Sequence, residues 1–253
     1  MSAVLLIDVG NTSTALALRR GRRIGRVHRC VTAKASEAEL SELIQTVVGT
    51  HRVHGACAAS VVPRRKRIWS RAVARTCEVD LMGVVHAMEL GVGIDYPKPA
   101  SVGPDRLANA AGAIDRYGAP VIVADFGTAL TFDVVTRGGD YVGGVIAPGL
   151  PLMTDYLSEK TALLPHVPLR GGHRAIGRST EGAMQSGARH GYRGMVREIT
   201  RQITAELGET RCTLCATGGY AEWALKDSGM SYIFDPSLTL HGVGVIYDLN
   251  TSG

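Results

Sequence analysis

Short aliphatic runs and helical-period segments alternate along the chain. Residues 3–7 form a continuous apolar run of strand length, and residues 14–18 form another after a polar break. Arg20-Gly21-Arg22 reads as a turn and residues 24–30 as a third strand, so the chain opens on a β-meander. The period then changes. Ser36-Glu37-Ala38-Glu39 has capping-box spacing, and Leu40, Leu43, Ile44 and Val47 follow at helical intervals. Residues 56–62 return to strand character and stop at Pro63, and residues 64–76 read as helix. Residues 94–99 must be extended or turning, because each proline restricts itself and the residue before it. Gly103-Pro104-Asp105-Arg106 then opens a helix predicted to run through Tyr117, with Leu107, Ala110, Ala111 and Ile114 on its apolar side.

From Pro120 the opening pattern returns. Residues 121–124 and 131–135 are strands, Arg137-Gly138-Gly139-Asp140 is a turn, and residues 141–147 lead to Pro148-Gly149. Helices are expected over 150–158 and from about 180 to 207. A strand over 213–217 is broken by Gly218-Gly219, and helices follow over 220–226 and near the C-terminus. The repeat, not a shift in composition, sets the expected boundary: one domain over 1–118 and a second over 119–253.

The repeat has a chemical counterpart. Asp8-Val9-Gly10-Asn11-Thr12-Ser13-Thr14 and Asp125-Phe126-Gly127-Thr128-Ala129-Leu130-Thr131 each place an Asp at the end of an apolar run. Gly and hydroxyl side chains follow, then a second apolar run. The two Asp residues are 117 positions apart. An Asp ending a buried strand is costly unless paired or bound to a cation, while Gly lets backbone N–H groups approach phosphate. Either loop alone also reads as an ordinary hairpin. Two copies point to a duplicated fold that grips a nucleoside triphosphate between its halves. No Gly-Lys-Ser/Thr follows, and G-x-G-x-x-G spacing is missing, so this is neither a Walker A loop nor a Rossmann fingerprint.

Three further segments carry candidate chemistry. In Gly103-Pro104-Asp105-Arg106, Asp105 can take a proton from a substrate hydroxyl and Arg106 can hold a carboxylate in a fork. A dipole-favoured acid at a helix start with a surface Arg explains the same residues. Gly143-Gly144-Val145-Ile146-Ala147-Pro148-Gly149 either passes close to a ligand or packs tightly, and Thr217-Gly218-Gly219 ends a strand where a nucleoside can sit. The histidines show no HExxH and the serines no G-x-S-x-G, so hydrolase readings lack a nucleophile.

Composition narrows the class. Apolar residues at 45% and charged residues at 20% suit a globular protein, and no apolar run approaches the roughly 18 residues of a membrane span. The formal charge of +5 favours an anionic substrate without requiring nucleic acid. Arg64-Arg65-Lys66-Arg67 reads as a solvated helix start, because stacking aromatics are nearly absent around it. The five cysteines are an odd number, and no signal peptide is visible, which points to reduced thiols in the cytoplasm. Cys212 and Cys215 have CxxC spacing without a second pair and read as small core residues.

Taken in order, these segments resemble type III pantothenate kinases, within the actin, sugar-kinase and heat-shock ATPase superfamily. The likeness spans almost the whole chain. It covers Asp8 to Thr12, Tyr96-Pro97, Gly103 to Arg106, Asp125 to Thr131, Gly143 to Gly149, Thr161-Ala-Leu-Leu-Pro165, Ile176-Gly-Arg-Ser-Thr180 and Thr217 to Gly219. The resemblance implies an α/β fold of two duplicated ribonuclease-H-like (actin-like ATPase) domains with mixed sheets, a homodimer, and phosphorylation of pantothenate by ATP. It makes Asp105 the general base. It assigns Tyr96, Gly103, Pro104, Asp105, Arg106 and Thr180 to the pantothenate site, Thr180 coming from the partner chain. Asp8, Val9, Gly10, Asn11, Thr12, Ser13, Thr14 and Ala15, with Thr128, would hold ATP. Asp125 would bind a monovalent cation, potassium or ammonium, and magnesium would accompany ATP.

Three departures stand out: Phe126 where a small residue is common, crowding the cation loop; His241 where Glu is frequent; and Ser101-Val102 in place of a more apolar approach to Gly103. Two rival readings keep the fold. One changes the acceptor to another small hydroxyl or carboxylate compound. The other is a non-catalytic nucleotide-binding regulator, against which the presence of Asp8, Asp105 and Asp125 argues.

Overall fold

The computed structural model describes residues 3–169, 174–209 and 211–251. They form two compact units. The first takes Met1–Gly118, Arg137–Val142 and Ser237–Gly253, and the second takes Ala119–Thr136 and Gly143–Pro236. No helix among the described residues is long and apolar enough to cross a membrane.

The first unit opens with β1 (Ala3–Val9), β2 (Ser13–Arg20), β3 (Arg23–Ile24) and β4 (His28–Val31). It continues with α1 (Glu37–Val48), β5 (Val53–Ser60), α2 (Pro63–Cys77), β6 (Leu81–Gly83), β7 (Gly93–Ile94) and α3 (Pro104–Tyr117). Its sheet has the order β3-β2-β1-β5-β6, with β4 also on β2. β1 is antiparallel to β2 and parallel to β5. Ala3, Leu5, Ile7 and Val9 face a core shared with Leu40 and Ile44 of α1 and Trp69, Ala72 and Val73 of α2. Val4 and Leu6, on the other face by strand alternation, are buried too, which is why the strand reads as an unbroken apolar run. The capping box at Ser36 and Glu39 is present, and Pro63 and Pro104 each occupy the first turn of a helix, where the missing N–H costs nothing.

The expected third strand is split. β3 and β4 both pair with β2, but their registers differ by one residue, so the 25–27 stretch carries an extra residue and bulges. β6 and β7, at three and two residues, are too short for any periodicity to announce.

The second unit holds β8 (Val121–Phe126), β9 (Ala129–Val135), β10 (Asp140–Pro148, whose first residues belong to the first unit and pair with β7), α4 (Leu150–Lys160), α5 (Thr180–Ser186), α6 (Tyr192–Leu207), β11 (Thr213–Thr217), α7 (Ala221–Leu225) and β12 (Ile233–Phe234). The predicted long helix is present but interrupted by a π turn at Gly187–Gly191. The strand order β12-β11-β8-β9-β10 repeats that of the first sheet. β8 is antiparallel to β9 and parallel to β11, as β1 is to β2 and β5, and both sheets are mixed. The fold is the expected duplicated α/β architecture.

The chain ends with α8 (Leu238–Leu249), which returns to the first unit against α3. Two glycines allow the approach: a Cβ on Gly112 would lie 2.9 Å from Gly242 N, and one on Gly242 would lie 2.6 Å from the Ala108 carbonyl carbon. Arg19 of β2 pins the same helix, donating to Asp248 and to the Gly244 carbonyl. His241 packs on α3, 2.7 Å from Asp115, which also takes a hydrogen bond from Arg22. Burial raises the Asp115 carboxyl, but the His241 hydrogen bond and the charges of His241 and Arg22 outweigh it and leave the carboxyl below its usual range. All five cysteines are free thiols; Cys215 is buried and Cys212 half-buried.

Candidate active site

The first Asp loop closes between Val9 and Thr14, which pair across β1 and β2, one step beyond Asp8 and Ala15. Asp8 is half-buried, while Asn11, Thr12 and Ser13 are exposed. The Gly10 N–H donates to the Ser13 carbonyl at 3.2 Å, and a Cβ on Gly10 would lie 2.9 Å from that oxygen, so only glycine makes this turn unstrained. A chain of hydroxyls braces it. Thr32 Oγ1 donates to the Gly10 carbonyl at 2.7 Å, which leaves the buried Thr14 hydroxyl as donor to Thr32 Oγ1 at 2.9 Å. The Thr14 side chain therefore stiffens the loop from below, and the exposed polar groups are those of residues 11–13. Thr32, 22 positions from Gly10, carried no sequence signal for this role.

The second loop follows the same plan with a turn one residue shorter. Asp125 pairs with Thr131 and Phe126 with Leu130, leaving Gly127-Thr128-Ala129 as the turn, closed by a Gly127 N–H to Ala129 carbonyl bond of 3.1 Å. Thr128 is exposed and Asp125 half-buried. Two other glycine segments converge here. Thr217 pairs with Asp125 across β11 and β8, and Gly218 (φ +93°) lies so near that a Cβ would be 2.5 Å from Asp125 Oδ1 and 2.6 Å from Phe126 N. A Cβ on Gly149 would be 2.7 Å from the Gly127 carbonyl oxygen and nearer still to that of Thr128. Tight packing is thus the role of Gly149. The Asp125 charge is felt beneath the loop: burial first, then that carboxylate, pushes the Tyr192 phenol well above its usual value.

Phe126 does not crowd the loop. Its ring is fully buried in the second unit's core, with its centroid 6.2 Å from that of Tyr192.

Asp105 sits in the first turn of α3 and accepts the Arg106 backbone N–H at 2.8 Å. A Cβ on Gly103 would collide with Asp105 Oδ1, so glycine there leaves room for the carboxylate. Burial raises the Asp105 carboxyl above its ordinary range; the Arg106 N–H and guanidinium pull it back only in part. Arg106 lies 5.8 Å over the Tyr141 ring, and Tyr96 packs edge-on against that same ring at 6.2 Å. Tyr96 and Arg106 are thereby brought together through Tyr141, a fully buried residue that the sequence reading passed over.

Thr180 is exposed at the start of α5, after Ser179, whose side chain caps the helix by accepting the Gly182 N–H at 3.0 Å. It borders an apolar groove of about 650 Å³ between α4 and α5, lined also by Leu152, Met153, Leu157 and Met184.

The family model for type III pantothenate kinase matches residues 4–202. The chain belongs to that family. As a member of the type III pantothenate kinases it is an enzyme, a phosphotransferase. Relatives described by the same name are 44% identical in Akkermansia muciniphila (97% of this chain, 98% of the relative) and 38% identical in Parafrankia sp. (98% of each). Solved structures of the same fold include ethanolamine utilization protein EutJ from Carboxydothermus hydrogenoformans, with TM-score 0.58, 12% identity, and coverage of 97% of this chain and 90% of that one. Component A of (R)-2-hydroxyglutaryl-CoA dehydratase from Acidaminococcus fermentans has TM-score 0.53, 13% identity, and coverage of 98% and 97%. In this kinase the ordered motifs include the two Asp loops and the α3 start.

Proposed function

We infer that the chain phosphorylates pantothenate with ATP, the first step of coenzyme A biosynthesis, and that Asp105 is the general base on the acceptor hydroxyl. The observation that carries the assignment of the base is its setting. The carboxylate is half-buried, raised by desolvation toward the range useful for proton transfer, and adjoins a guanidinium braced on an aromatic pair. Arg106 would fork the pantothenate carboxylate, Tyr96 would line the same site with Gly103 and Pro104, and Asp105 would accept the proton as the oxygen attacks phosphorus.

Phosphoryl transfer asks for positioning and charge neutralisation more than covalent chemistry. The loop over residues 8–15 and Thr128 would hold the triphosphate. The divalent ion, magnesium in this reading, arrives with the nucleotide; among the described residues no group of three or more His, Cys, Asp or Glu could hold a metal ion alone. A monovalent cation, potassium or ammonium, would bind at Asp125: glycine at 218 leaves the carboxylate uncrowded, since a Cβ there would lie 2.5 Å from Oδ1, and carboxylate oxygen suits a hard ion. When bound, that ion supplies positive charge against the phosphates.

A homodimer is the natural cover for the α4–α5 face. Leu152, Tyr156, Leu157, Leu163 and Ile176 are all exposed there, Leu163 at 89% and Ile176 at 80%. A second copy seated on it would also place Thr180 at an interface, consistent with a substrate contact across the dimer.

The test is a coupled ADP-release assay with magnesium-ATP and pantothenate, run in potassium and then in sodium alone. Turnover that needs both pantothenate and potassium is expected, and Asp125→Ala should lose the potassium response. Turnover with a sugar and none with pantothenate would refute the acceptor; potassium stimulation surviving in Asp125→Ala would refute the cation site.

A further inference from the structure

We propose that Tyr141 is a positioning residue of the acceptor site: its ring fixes the Arg106 guanidinium and the Tyr96 ring in the arrangement that receives a carboxylate. This role rests on the reading that Arg106 forks the carboxylate of pantothenate. It falls to a residue outside every motif that carries that reading.

The start of β10 holds β7. The two strands are parallel, with Asp140 opposite Gly93 and Tyr141 opposite Ile94. The Gly93 N–H donates to the Gly139 carbonyl and the Asp95 N–H to the Tyr141 carbonyl, both at 3.0 Å. A two-residue strand cannot hold itself, so the segment that ends in Tyr96 takes its position from residues 139–141. Successive side chains leave a strand on opposite sides. Asp140 lies against Gly93, where a Cβ would collide with its Oδ1. Tyr141 goes the other way and is fully buried. There it meets two half-buried acceptor-site residues: Arg106 stands 5.8 Å over its ring, and the Tyr96 ring packs edge-on at 6.2 Å.

An unbraced arginine side chain samples many rotamers, and ordering it opposes binding. A guanidinium is planar, weakly hydrated and stacks on an aromatic face. The Tyr141 ring cannot turn aside, because it is fully buried on a paired strand, so it holds the fork before the acceptor arrives. Core packing asks only for volume, which leucine or methionine supplies; a guanidinium asks for the π face. The carboxylate is remote from the reacting hydroxyl, so its contact is equal in ground state and transition state. Loosening that contact raises KM and leaves kcat in place.

Steady-state kinetics of the full chain with magnesium-ATP and pantothenate test this, with thermal unfolding as the check on folding. Tyr141→Leu should raise the pantothenate KM about five- to thirtyfold, the strength of a desolvated cation–π contact expressed as a ratio, with kcat and the KM for ATP within about twofold of wild type. Tyr141→Phe, which restores the ring, should bring the pantothenate KM back to within about twofold. Tyr141→Met takes the place of the Leu variant if that one folds poorly. In an Arg106→Gln background, Tyr141→Leu should add less than about twofold, because the ring then has no cation to hold. Three results would overturn the proposal: an unchanged pantothenate KM in Tyr141→Leu, a fall in kcat with a rise in both KM values, or effects of the two substitutions that multiply. Two others would strike deeper and take the proposal with them. A folded wild-type enzyme inactive with pantothenate would refute the acceptor, and an Arg106→Gln enzyme with wild-type KM would refute the fork.

Discussion

Gly149→Ala separates a packing role for the Gly143–Gly149 segment from a ligand-contact role. The backbone at Gly149 (φ −72°, ψ 166°) is extended and open to any residue, so alanine introduces no torsional strain. The added Cβ would lie 2.6 Å from the Thr128 carbonyl carbon and 2.7 Å from the Gly127 carbonyl oxygen. Restoring ordinary contact near 3.5 Å requires a retreat of about 1 Å. Leu150, the next residue, is fully buried, whereas Thr128 is exposed, so the loop gives way before the helix start does. Overpacking of this kind costs about 1–3 kcal/mol, or about 2–4 °C in Tm for each kcal/mol in a chain of this size. With the loop positioning phosphate as proposed, a 1 Å displacement costs about 10²-fold in kcat/KM. ATP saturation kinetics and thermal unfolding read both effects. Gly194→Ala is the control: it lies within α6 with nothing within 4 Å of a new Cβ, and should stabilise by up to about 1 kcal/mol at unchanged rate. A Gly149→Ala enzyme with wild-type kcat/KM for ATP and wild-type Tm would show that the loop does not depend on this contact.

Other perturbations follow from the same geometry. Asp105→Asn should lower kcat by about 10²–10⁴-fold and remove the acid limb of the wild-type pH–rate profile, which lies above the ordinary carboxyl value of 3.8. Because folding raises this carboxyl, its favourable contribution exists below the unfolded pKa and is lost as pH rises through the folded one; at neutral pH the buried ion is a cost. The Asn variant should therefore melt no lower than wild type at pH 7, with the gap narrowing as pH falls, and a lower Tm at pH 7 would contradict this. Gly242→Ala should destabilise by about 1–3 kcal/mol in chemical denaturation, since its Cβ meets the α3 backbone at Ala108; full stability would mean that the helices separate freely. Leu152→Glu in the α4–α5 groove should convert a dimer to a monomer in light scattering and lower activity with pantothenate, and an unchanged mass would remove this face from the interface.

What was legible in the sequence was local. Asp followed two residues later by Gly, at the end of a short apolar run, marked both loops, and in the structure each Asp is the next-to-last paired residue of its strand before the turn: Asp8 before Val9 and Gly10, Asp125 before Phe126 and Gly127. Capping spacing and first-turn prolines placed α1, α2 and α3 within a residue or two. The supports were hidden because they are made by residues far apart in the chain. Thr32 reaches Gly10 across a strand pair, Gly218 comes to Asp125 along β11, and α8 returns to α3 over a separation of 130 residues between Thr239 and Asn109, which are hydrogen-bonded at 2.8 Å. A lone tyrosine in a strand looks like any core aromatic, so Tyr141 showed its part only when Tyr96 and Arg106 met on its ring.

Phe126 shows where the sequence already held an answer that residue identity obscured. A bulky ring next to Asp125 reads as an intrusion into the cation loop if only adjacency is weighed. Successive side chains in a strand point to opposite faces, so once Asp125 serves the loop, residue 126 must face away from it. Val9 stands in the same position beside Asp8 and is buried in the first core, and Phe126 is buried in the second. The duplication therefore transfers a rule from one half to the other: size at this position is set by the space beneath the sheet and not by the ligand above it. In the second unit that space is closed by Tyr192 and Leu150, both fully buried, and a ring fills it. Replacing Phe126 with a small residue would open a cavity under the loop, with a stability loss of about 3–5 kcal/mol for Phe→Ala. It would give the cation proposed at Asp125 no additional room.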